Sequence, residues 1–377
     1  MKLASASVIT GLLPVPVAAT ITIAGARIVG VDPGIAPDAE LIDGVLLPGY
    51  VDTHSHGAAG ADFASPDSDA TQRAIDFHRH HGTTTQFAST VTEPLDALVD
   101  QIRRLRAFVD AGELRGIHLE GPFLALERKG AHNPALLRDP VDVDVRRLIE
   151  AGGPALKMIT IAPERTHGLE AVRTFREAGV EPAFGHSDAG DTTVREAVDA
   201  GASVVTHLFN AMRPIHHREP GPIPWLLTDP RVMVELICDG THLAPDVIRL
   251  AVRTATPARV ALVTDAMSAT GQPDGDYELG TLKVSVRGGV AKILNDDGTL
   301  GAIAGSTLTM DRAVEFLVQH VGSTLVEASM MASTTPARWH GLDDVGTLEP
   351  GRRADLCVVD DHGVLAGVMR NGEWVKR

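Results

Sequence analysis

Residues 45–56 read VLLPGYVDTHSH, an apolar run that leads directly into a His-x-His pair. The run over 45–54 is the first of eight short, mostly apolar, β-rich stretches in the middle of the chain. The other seven are 83–89, 115–120, 156–162, 181–186, 203–207, 232–238 and 259–265. Such near-continuous apolarity is typical of strands that are buried on both faces of a parallel sheet. The pattern therefore predicts eight buried parallel strands.

Helical patterns separate most of these runs. Residues 94–110 place leucine and valine side chains on one face at helical spacing, and Asp191 is a candidate N-cap for the helix that follows it. Gly179 and Gly201 are candidate helix stops. Eight strand–helix units predict an α/β fold, a closed (β/α)8 TIM barrel. The alternative, an open doubly wound sheet, is disfavoured because no glycine-rich dinucleotide fingerprint follows the first strand.

The two ends of the chain have a different character from the middle. Residues 1–47 and 343–377 are rich in short β-type segments and show no convincing helical pattern. We therefore expect the two ends to pair as one small β-sandwich domain, with the barrel, residues 48–342, inserted between them.

Composition and charge exclude several classes of function. The 377 residues are 44% hydrophobic and 22% charged, which is ordinary for a globular chain. A net charge of −15 and an aromatic content of 4% argue against nucleic-acid binding. No segment has the roughly 18 uninterrupted apolar residues that a membrane helix requires, so we expect no membrane partner.

The compartment can be inferred from the cysteines and the N-terminus. Cys238 and Cys357, the two cysteines of the chain, lie in apolar runs and predict buried thiols, not a disulfide framework. Pro14 and Pro16 interrupt the apolar part of residues 1–19, which argues against a secretory signal peptide. These features predict a cytoplasmic protein.

Polar residues of metal-ligand type occur at the carboxyl ends of five predicted strands, where active sites of such barrels are built. They are His54 and His56, Glu120, His186, His207 and Asp265. Residues i and i+2 of a strand face the same side, so His54 and His56 can share one ion. Imidazole and carboxylate ligands suit Zn²⁺, the first choice, or Fe²⁺, Co²⁺ or Mn²⁺. The pattern predicts a divalent-metal site with one or two ions.

Other histidines have a simpler interpretation. His78, His80 and His81 fall on a polar helix and are predicted to be solvated surface residues. His118 lies two residues before Glu120 on the same face, so it is either a partner of a ligand or, as we favour, a residue that fills the barrel interior.

Asp265 follows the eighth run, VALVT, and would lie beside the metal. A carboxylate in that place can accept the proton of a metal-activated water and return it to a leaving amine. The alternative is a purely structural ligand. An Asp265→Asn variant separates the two, because the proton-transfer role predicts lost turnover with unchanged metal content.

Nine motifs carry a resemblance to a known family. In order they are PGYVDTHSHG, HLEGPF, GAHNP, GHSDA, HLFNAM, REPG, DGTHL, TDAM and AGSTLTM. The chain resembles the N-acetylglucosamine-6-phosphate deacetylases of the amidohydrolase superfamily over almost its whole length, and GTLEPGRRADLCVVD resembles the strand that returns to their small β domain. HLEGPF, HLFNAM and AGSTLTM are together the most specific of these motifs.

The resemblance implies roles for the strand-end residues. Glu120, His186 and His207 match the central metal ligands, with Glu120 as the bridging group, and Asp265 matches the general acid/base. A bridging lysine found in many superfamily members has no counterpart on the fourth strand. His54 and His56 match a second metal position that some members have lost.

The resemblance also implies a substrate site. His132 would help to polarise the acetamide carbonyl as a second catalytic residue, and His242 and Arg218 would bind the phosphate. Arg218 reaches across from a neighbouring subunit in the family, which implies a homodimer. The remaining substrate-binding positions are Ala131, Asn210, Ala211, Ile303, Ala304 and Gly305.

The expected function is therefore metal-dependent hydrolysis of the acetamide of N-acetyl-D-glucosamine 6-phosphate, in amino-sugar catabolism or cell-wall recycling. Two alternatives stay open. One is another amidohydrolase, such as a cyclic-amide hydrolase or an amino-acid deacetylase, which would lack the phosphate contacts. The other is an inactive superfamily member that acts as a binding protein, although such a protein would be expected to have lost ligands.

Overall fold

The strands account for three sheets and one short hairpin. The computed structural model describes all 377 residues. In chain order the strands are β1 Lys2–Val8, β2 Val17–Ala24, β3 Arg27–Pro33, β4 Glu40–Leu41, β5 Val45–Pro48, β6 Tyr50–Asp52, β7 Gly57–Ala58, β8 Ala61–Asp62, β9 Thr83–Thr90, β10 Gly116–Glu120, β11 Leu156–Ile161, β12 Glu181–Phe184, β13 Val204–Val205, β14 Met233–Leu236, β15 Val260–Leu262, β16 Gly275–Leu279, β17 Leu282–Arg287, β18 Val290–Leu294, β19 Leu300–Ile303, β20 Leu356–Val359, β21 Leu365–Arg370 and β22 Glu373–Lys376.

Helices alternate with the strands through the middle of the chain. They are α1 Ser68–His80, α2 Leu95–Asp110, α3 Asp142–Gly152, α4 Gly168–Glu177, α5 Asp191–Asp199, α6 Ile223–Thr228, α7 Pro245–Ala255, α8 Met310–Phe316, α9 Leu325–Ser329 and α10 Thr335–Trp339. Four 3₁₀ turns and two π turns complete the set, at Leu126–Arg128, Pro134–Leu136, Gly153–Ala155, Pro257–Arg259, Leu317–Val321 and Met330–Thr334. None of the helices is long and apolar enough to cross a membrane.

Eight parallel strands form the barrel, in the order β6-β9-β10-β11-β12-β13-β14-β15. The first and last strands meet just beyond their carboxyl ends, where the Asp265 N–H donates to the His54 carbonyl and the His56 N–H donates to the Ala266 carbonyl, each at 2.8 Å. The predicted TIM barrel is confirmed, and the open doubly wound sheet is excluded by this closure. The barrel therefore closes at the residues predicted to carry the chemistry.

The first predicted run, 45–54, is divided between two sheets. Its first half is β5, which pairs antiparallel with β20, and its second half is the barrel strand β6. Gly49 lies between the two halves, where an added Cβ would be only 2.3 Å from the Thr84 Oγ1 atom. An apolar run does not show which sheet its residues join, so the division could not be read from the sequence.

Helix α2 illustrates how the barrel is covered. Leu95, Leu98, Val99, Ile102 and Leu105 are buried on its inner face, as their helical spacing predicts. These side chains belong to an apolar cluster of 29 buried residues that covers one side of the barrel. Burial of this stripe fixes the helix against the sheet and so holds the strand ends in place.

Helix boundaries agree with two predictions and correct a third. Gly179 and Gly201 follow α4 and α5 with φ of 76° and 119°, a backbone conformation that favours glycine after a helix. Asp191 is the first residue of α5 and not its N-cap, which is Gly190. The Asp191 carboxylate instead faces Arg195, one turn along the helix, at 3.7 Å.

Both ends of the chain contribute to one eight-stranded sheet. Its order is β22-β21-β20-β5-β1-β2-β3, with β4 paired to β1. Leu46 and Leu356 face an apolar cluster that belongs to this sheet, whereas Leu47 and Cys357 on the opposite face join the main core of the barrel. The sheet is therefore tied to the barrel through the alternating residues of β5 and β20. The boundaries at 47/48 and 342/343 stay predictions.

A four-stranded antiparallel sheet, β16 to β19, follows the last barrel strand and was not predicted. Its turns carry the expected signals, since Gly280, Gly288, Gly289 and Gly298 all adopt positive φ. Alternating apolar residues between these turns form a separate small cluster with residues next to the barrel mouth. The sheet matters for function because its last strand ends at Ile303, beside the candidate site.

Candidate active site

The six predicted strand-end residues converge at the mouth of the barrel. Together they follow or end five strands, with His54 and His56 both after β6, and each residue is at least 93% buried; their exposed fractions are His54 0%, His56 2%, Glu120 4%, His186 4%, His207 4% and Asp265 7%. Two overlapping groups of ligand-type atoms could each hold a metal ion, one of His54, His56, Glu120 and Asp265 and the other of Glu120, His132 and His186. Five strands far apart in sequence are thus brought to one buried centre.

Glu120 lies at the middle of this centre. Its Oε1 atom is 3.1 Å from the Nε2 atom of His186 and 3.0 Å from the Nε2 atom of His207. Its Oε2 atom is 3.2 Å from the Nε2 atom of His56. One carboxylate therefore faces two separate sets of histidines, which is the arrangement of a bridging ligand.

Asp265 completes the half of the centre that contains His54 and His56. The Nε2 atoms of these two histidines are 3.2 Å apart. The Oδ1 atom of Asp265 lies 3.1 Å from that of His56 and 3.4 Å from that of His54. This half therefore contains two imidazole nitrogens and an oxygen from each of two carboxylates.

The donor set fits a divalent cation. The Nδ1 atom of His186 donates to the Arg128 carbonyl at 2.8 Å, so in the neutral ring the Nε2 atom carries a lone pair. That lone pair faces the Glu120 carboxylate, which is also an acceptor, at 3.1 Å. Two acceptors at this distance repel each other unless a cation lies between them. Nitrogen and carboxylate ligands suit divalent metals.

The electrostatics of the centre favour positive charge. Burial lowers the pKa of His56, but its hydrogen bonds to Asp265 and Glu120 outweigh burial and raise that pKa to about 9. Burial raises the pKa of Asp265, yet the charge of His54 and the hydrogen bond from His56 lower it to about 2. A cation in the same place would be stabilised by the same carboxylates.

Three of the site residues have a strained backbone. His186, His207 and Asp265 have φ of 48°, 31° and 50°, a region that costs a residue with a Cβ roughly 1–3 kcal/mol. Such strain persists only where neighbouring contacts fix it. For Asp265, the Ser306 N–H donates to its carbonyl at 2.7 Å while its own N–H is bound to His54.

Two buried carboxylates of the site were missed. Glu235 on β14 is fully buried and lies 3.3 Å from the Nδ1 atom of His54. Asp52 on β6 accepts a hydrogen bond from the Thr264 hydroxyl at 2.6 Å, and burial raises its pKa to about 7 despite that bond. The sequence signal that would have identified Glu235 is a single acidic residue inside an apolar strand, VMVEL.

The histidines outside the centre divide differently from the prediction. His80 is exposed and His81 is partly exposed, but the prediction for His78 is wrong because His78 is fully buried. Its Nε2 atom lies 3.0 Å from the Gly57 carbonyl and 3.2 Å from the hydroxyl of Ser55. The inner face of α1 thus contacts the residues on both sides of His56.

His118 fills the barrel interior and also contacts a site residue. Its ring hydrogen-bonds to the Ser89 hydroxyl at 2.9 Å and to the Thr160 hydroxyl at 2.8 Å. It also packs edge-on against the His54 ring, with centroids 4.6 Å apart. Both interpretations considered for His118 therefore hold.

A cavity of about 320 Å³ opens onto the centre. Seven of the nine predicted substrate-binding residues line it, namely Ala131, His132, Asn210, Ala211, His242, Ile303 and Gly305. Ala304 is fully buried between two of them, and Arg218 is exposed on the loop after β13, outside this cavity. Arg128 and Glu127 also line the cavity, although no sequence pattern had pointed to them.

Hydrogen bonds fix the ring orientations of His132 and His242. The Thr92 N–H donates to the Nδ1 atom of His132 at 3.3 Å, which leaves its Nε2 atom as the donor on the side of Glu120. Burial lowers the pKa of His132 to about 4, so its ring is neutral. The Nδ1 atom of His242 is 2.7 Å from the Asp239 carboxylate, which raises the pKa of His242 although burial opposes it.

Comparison with known proteins shows the family to which this chain belongs. Residues 45–375 match the Amidohydrolase family, and the chain belongs to that family. It is similar to the structure of an N-acetyl-D-glucosamine-6-phosphate deacetylase mutant from Mycobacterium smegmatis in complex with N-acetyl-D-glucosamine 6-phosphate. The identity is 44% and the TM-score 0.95, over 100% of this chain and 99% of the other.

Two curated relatives extend the comparison. The Escherichia coli O157:H7 N-acetylgalactosamine-6-phosphate deacetylase is 38% identical over 86% of this chain and 84% of its own length. The human N-acetylglucosamine-6-phosphate deacetylase is 35% identical over 88% of this chain and 83% of its own length. The resemblance inferred from the sequence motifs is confirmed.

Proposed function

We propose that the protein removes the acetyl group from N-acetyl-D-glucosamine 6-phosphate, giving D-glucosamine 6-phosphate and acetate, in amino-sugar catabolism or cell-wall recycling. The observation that carries this is one cavity in which a buried histidine–carboxylate centre meets the oriented rings of His132 and His242. The names of the bacterial and human relatives support the same reaction. The decisive experiment is release of acetate from the purified protein with this substrate.

The centre would hold one or two divalent ions. Glu120, His186 and His207 would hold one, and His54 and His56 with Glu120 and Asp265 a second. Mixed nitrogen and oxygen ligands make Zn²⁺ the first candidate, with Fe²⁺, Co²⁺ and Mn²⁺ as alternatives. When bound, such an ion lowers the pKa of a water molecule toward neutrality and polarises a carbonyl.

Asp265 performs the proton transfers in this proposal. One oxygen of its carboxylate lies 3.4 Å from the Nε2 atom of His54 and 3.1 Å from that of His56, so it can accept the proton of a water activated beside them. The same oxygen then returns the proton to the amide nitrogen, and the C–N bond breaks. The Nε2–H of His132 donates to the oxygen that becomes negative when water adds to the acetamide carbonyl.

His242 is proposed to bind the phosphate, and a His242→Ala variant tests it. We expect kcat/KM for N-acetylglucosamine 6-phosphate to fall about 10–100-fold, the effect of one charge-assisted hydrogen bond. The value for unphosphorylated N-acetylglucosamine, measured in parallel, should stay the same. Equal losses on both sugars would place His242 elsewhere, and wild-type indifference to the phosphate would favour a different amidohydrolase.

Arg218 is proposed to act in the partner's site of a homodimer. It is exposed, and no ion pair of its own chain includes it, so its guanidinium is free to reach another subunit. Mixing Arg218→Ala subunits with Asp265→Asn subunits should restore about a quarter of wild-type activity, because half the dimers are hybrids with one intact site. The recovered activity is measured as acetate release after the mixed subunits are refolded together. No recovery would contradict a site shared between two subunits.

A second candidate substrate is favoured by one observation. The Escherichia coli relative acts, by its name, on N-acetylgalactosamine 6-phosphate, which differs from the glucosamine compound only in the configuration at carbon 4. Comparing kcat/KM for the two phosphorylated sugars separates these candidates. An inactive binding protein is disfavoured, since all six strand-end residues are present and brought together.

A further inference from the structure

The carboxylate of Glu235 contacts the candidate metal centre, and the proposed mechanism does not use it. Glu235 is on strand β14 and is 0% exposed. Its Oε1 atom accepts a hydrogen bond from the Thr53 hydroxyl at 3.1 Å, and its Oε2 atom lies 3.3 Å from the Nδ1 atom of His54. Burial of a carboxylate costs free energy unless hydrogen bonds or opposite charges compensate for its lost hydration.

The contact with Glu235 decides which nitrogen of His54 carries the proton. A carboxylate accepts, so the Nδ1 atom of His54 donates to it and the Nε2 atom is left with its lone pair. That lone pair faces His56 and Asp265, at 3.2 Å and 3.4 Å. Glu235 therefore aims a metal-binding nitrogen into the half of the centre formed by His54 and His56.

The other histidines of the centre have weaker support. His186 donates its Nδ1 proton to a neutral backbone carbonyl, that of Arg128. The Nδ1 atoms of His56 and His207 are buried and have no hydrogen-bond partner. Among these four rings, His54 is the one whose outer nitrogen is paired with a carboxylate, a contact that makes the facing nitrogen a stronger ligand.

We propose that Glu235 is a positioning residue that makes the His54–His56 half of the centre able to hold its own cation. The half formed by His186 and His207 does not depend on it. This inference rests on the proposed metal-dependent function. Glu235 would therefore determine whether each chain binds one ion or two.

A Glu235→Gln variant tests the proposal. The glutamine oxygen can still accept from His54, so the shape and one hydrogen bond remain while the charge is lost. Apo protein is titrated with Co²⁺, and binding is followed by calorimetry, metal analysis and the visible Co²⁺ spectrum. We expect the wild type to bind two ions per chain. The variant should keep one at unchanged affinity and bind the second about 10–100-fold more weakly.

A matched control removes a different buried carboxylate. Asp355, which immediately precedes β20, is 4% exposed and accepts a hydrogen bond from the Asn371 N–H at 2.8 Å. Asp355→Asn should leave the binding of both ions unchanged. The thermal midpoints of the apo proteins are compared as well, because a merely structural role of Glu235 would lower the midpoint of its variant without changing the Co²⁺ stoichiometry.

A second variant covers the case in which Glu235→Gln does not fold. Thr53→Val keeps the side-chain shape but removes the hydroxyl that holds the Oε1 atom of Glu235. It should weaken the same ion several-fold and leave the other unchanged. The proposal is overturned if the variant that folds binds both ions as tightly as the wild type, if both ions weaken equally, or if the wild type binds only one.

Failure of the proposed function would look different. In that case the wild type would bind its ions as expected and release no acetate from either phosphorylated sugar. The metal titrations measure the role of Glu235 independently of the substrate.

Discussion

Replacement of Asp265 by asparagine is expected to lower kcat by about 10²–10⁴-fold, the contribution of a positioned general acid/base. Asparagine has the same shape, so it can keep contacts with His54 and His56, which lie 3.4 Å and 3.1 Å away. It cannot accept the proton of water and return it to the amine. The measurement is kcat for acetate release together with metal content per chain.

The two readouts separate the roles considered for Asp265. Lost turnover with unchanged metal content is expected for proton transfer, because the asparagine oxygen can still ligate the ion held by His54 and His56. Lost metal would instead make Asp265 chiefly a structural ligand, and near-normal turnover would remove it from the mechanism. Asp276→Asn is a matched control, because the side chain of Asp276 is 60% exposed on β16 and should change neither quantity.

Replacement of Glu120 by glutamine is expected to abolish both metal binding and activity. The Glu120 carboxylate contacts His56 through one oxygen and His186 and His207 through the other, at 3.0–3.2 Å. Both cation positions therefore lose an anionic ligand at once. Exhaustive chelation of the wild type should remove activity in the same way, and added Zn²⁺ or Co²⁺ should restore it.

The loss of metal should also be visible in stability. A ligand that binds only the folded state at 100 times its Kd stabilises that state by about 2.7 kcal/mol. We therefore expect added metal to raise the thermal midpoint of the wild type and to leave that of Glu120→Gln unchanged. Glu278→Gln, at an exposed position on the same strand as Asp276, should behave as the wild type. Undiminished hydrolysis after chelation would contradict the metal-dependent mechanism.

The barrel and its strand-end residues could be predicted because both depend on local patterns. Each predicted run contains a barrel strand, since burial on both faces requires apolar residues throughout. His54, Glu120 and Asp265 were found because a polar residue at the end of such a run is conspicuous. Parallel strands then bring those ends to one rim of the barrel, whatever their separation in sequence.

Contacts between distant segments could not be predicted in the same way. His78 was assigned to the surface because its helix is polar, but its own position faces Ser55, which precedes it by 23 residues. Glu235 contacts His54 across 181 residues. No regular spacing links either pair of residues in the sequence, so the two contacts can be found only from the folded structure.

The four-stranded sheet was missed for a different reason. Its alternating strands and glycine turns are readable signals, and Gly288–Gly289 is a typical hairpin turn. The expectation of a barrel that continues directly from β15 to the next helix left no place for it. Its contribution to the site, at Ile303 and Gly305, was inferred instead from the resemblance to the deacetylases.

The barrel closes through hydrogen bonds made by the backbones of His54, His56, Asp265 and Ala266. Side chains of three of these residues also enter the candidate metal centre. An ion held there would cross-link the first strand to the last, much as a disulfide joins two distant parts of a chain. Local opening of this seam and release of the ion should then occur together, and amide hydrogen exchange at Asp265 should slow when the ion binds.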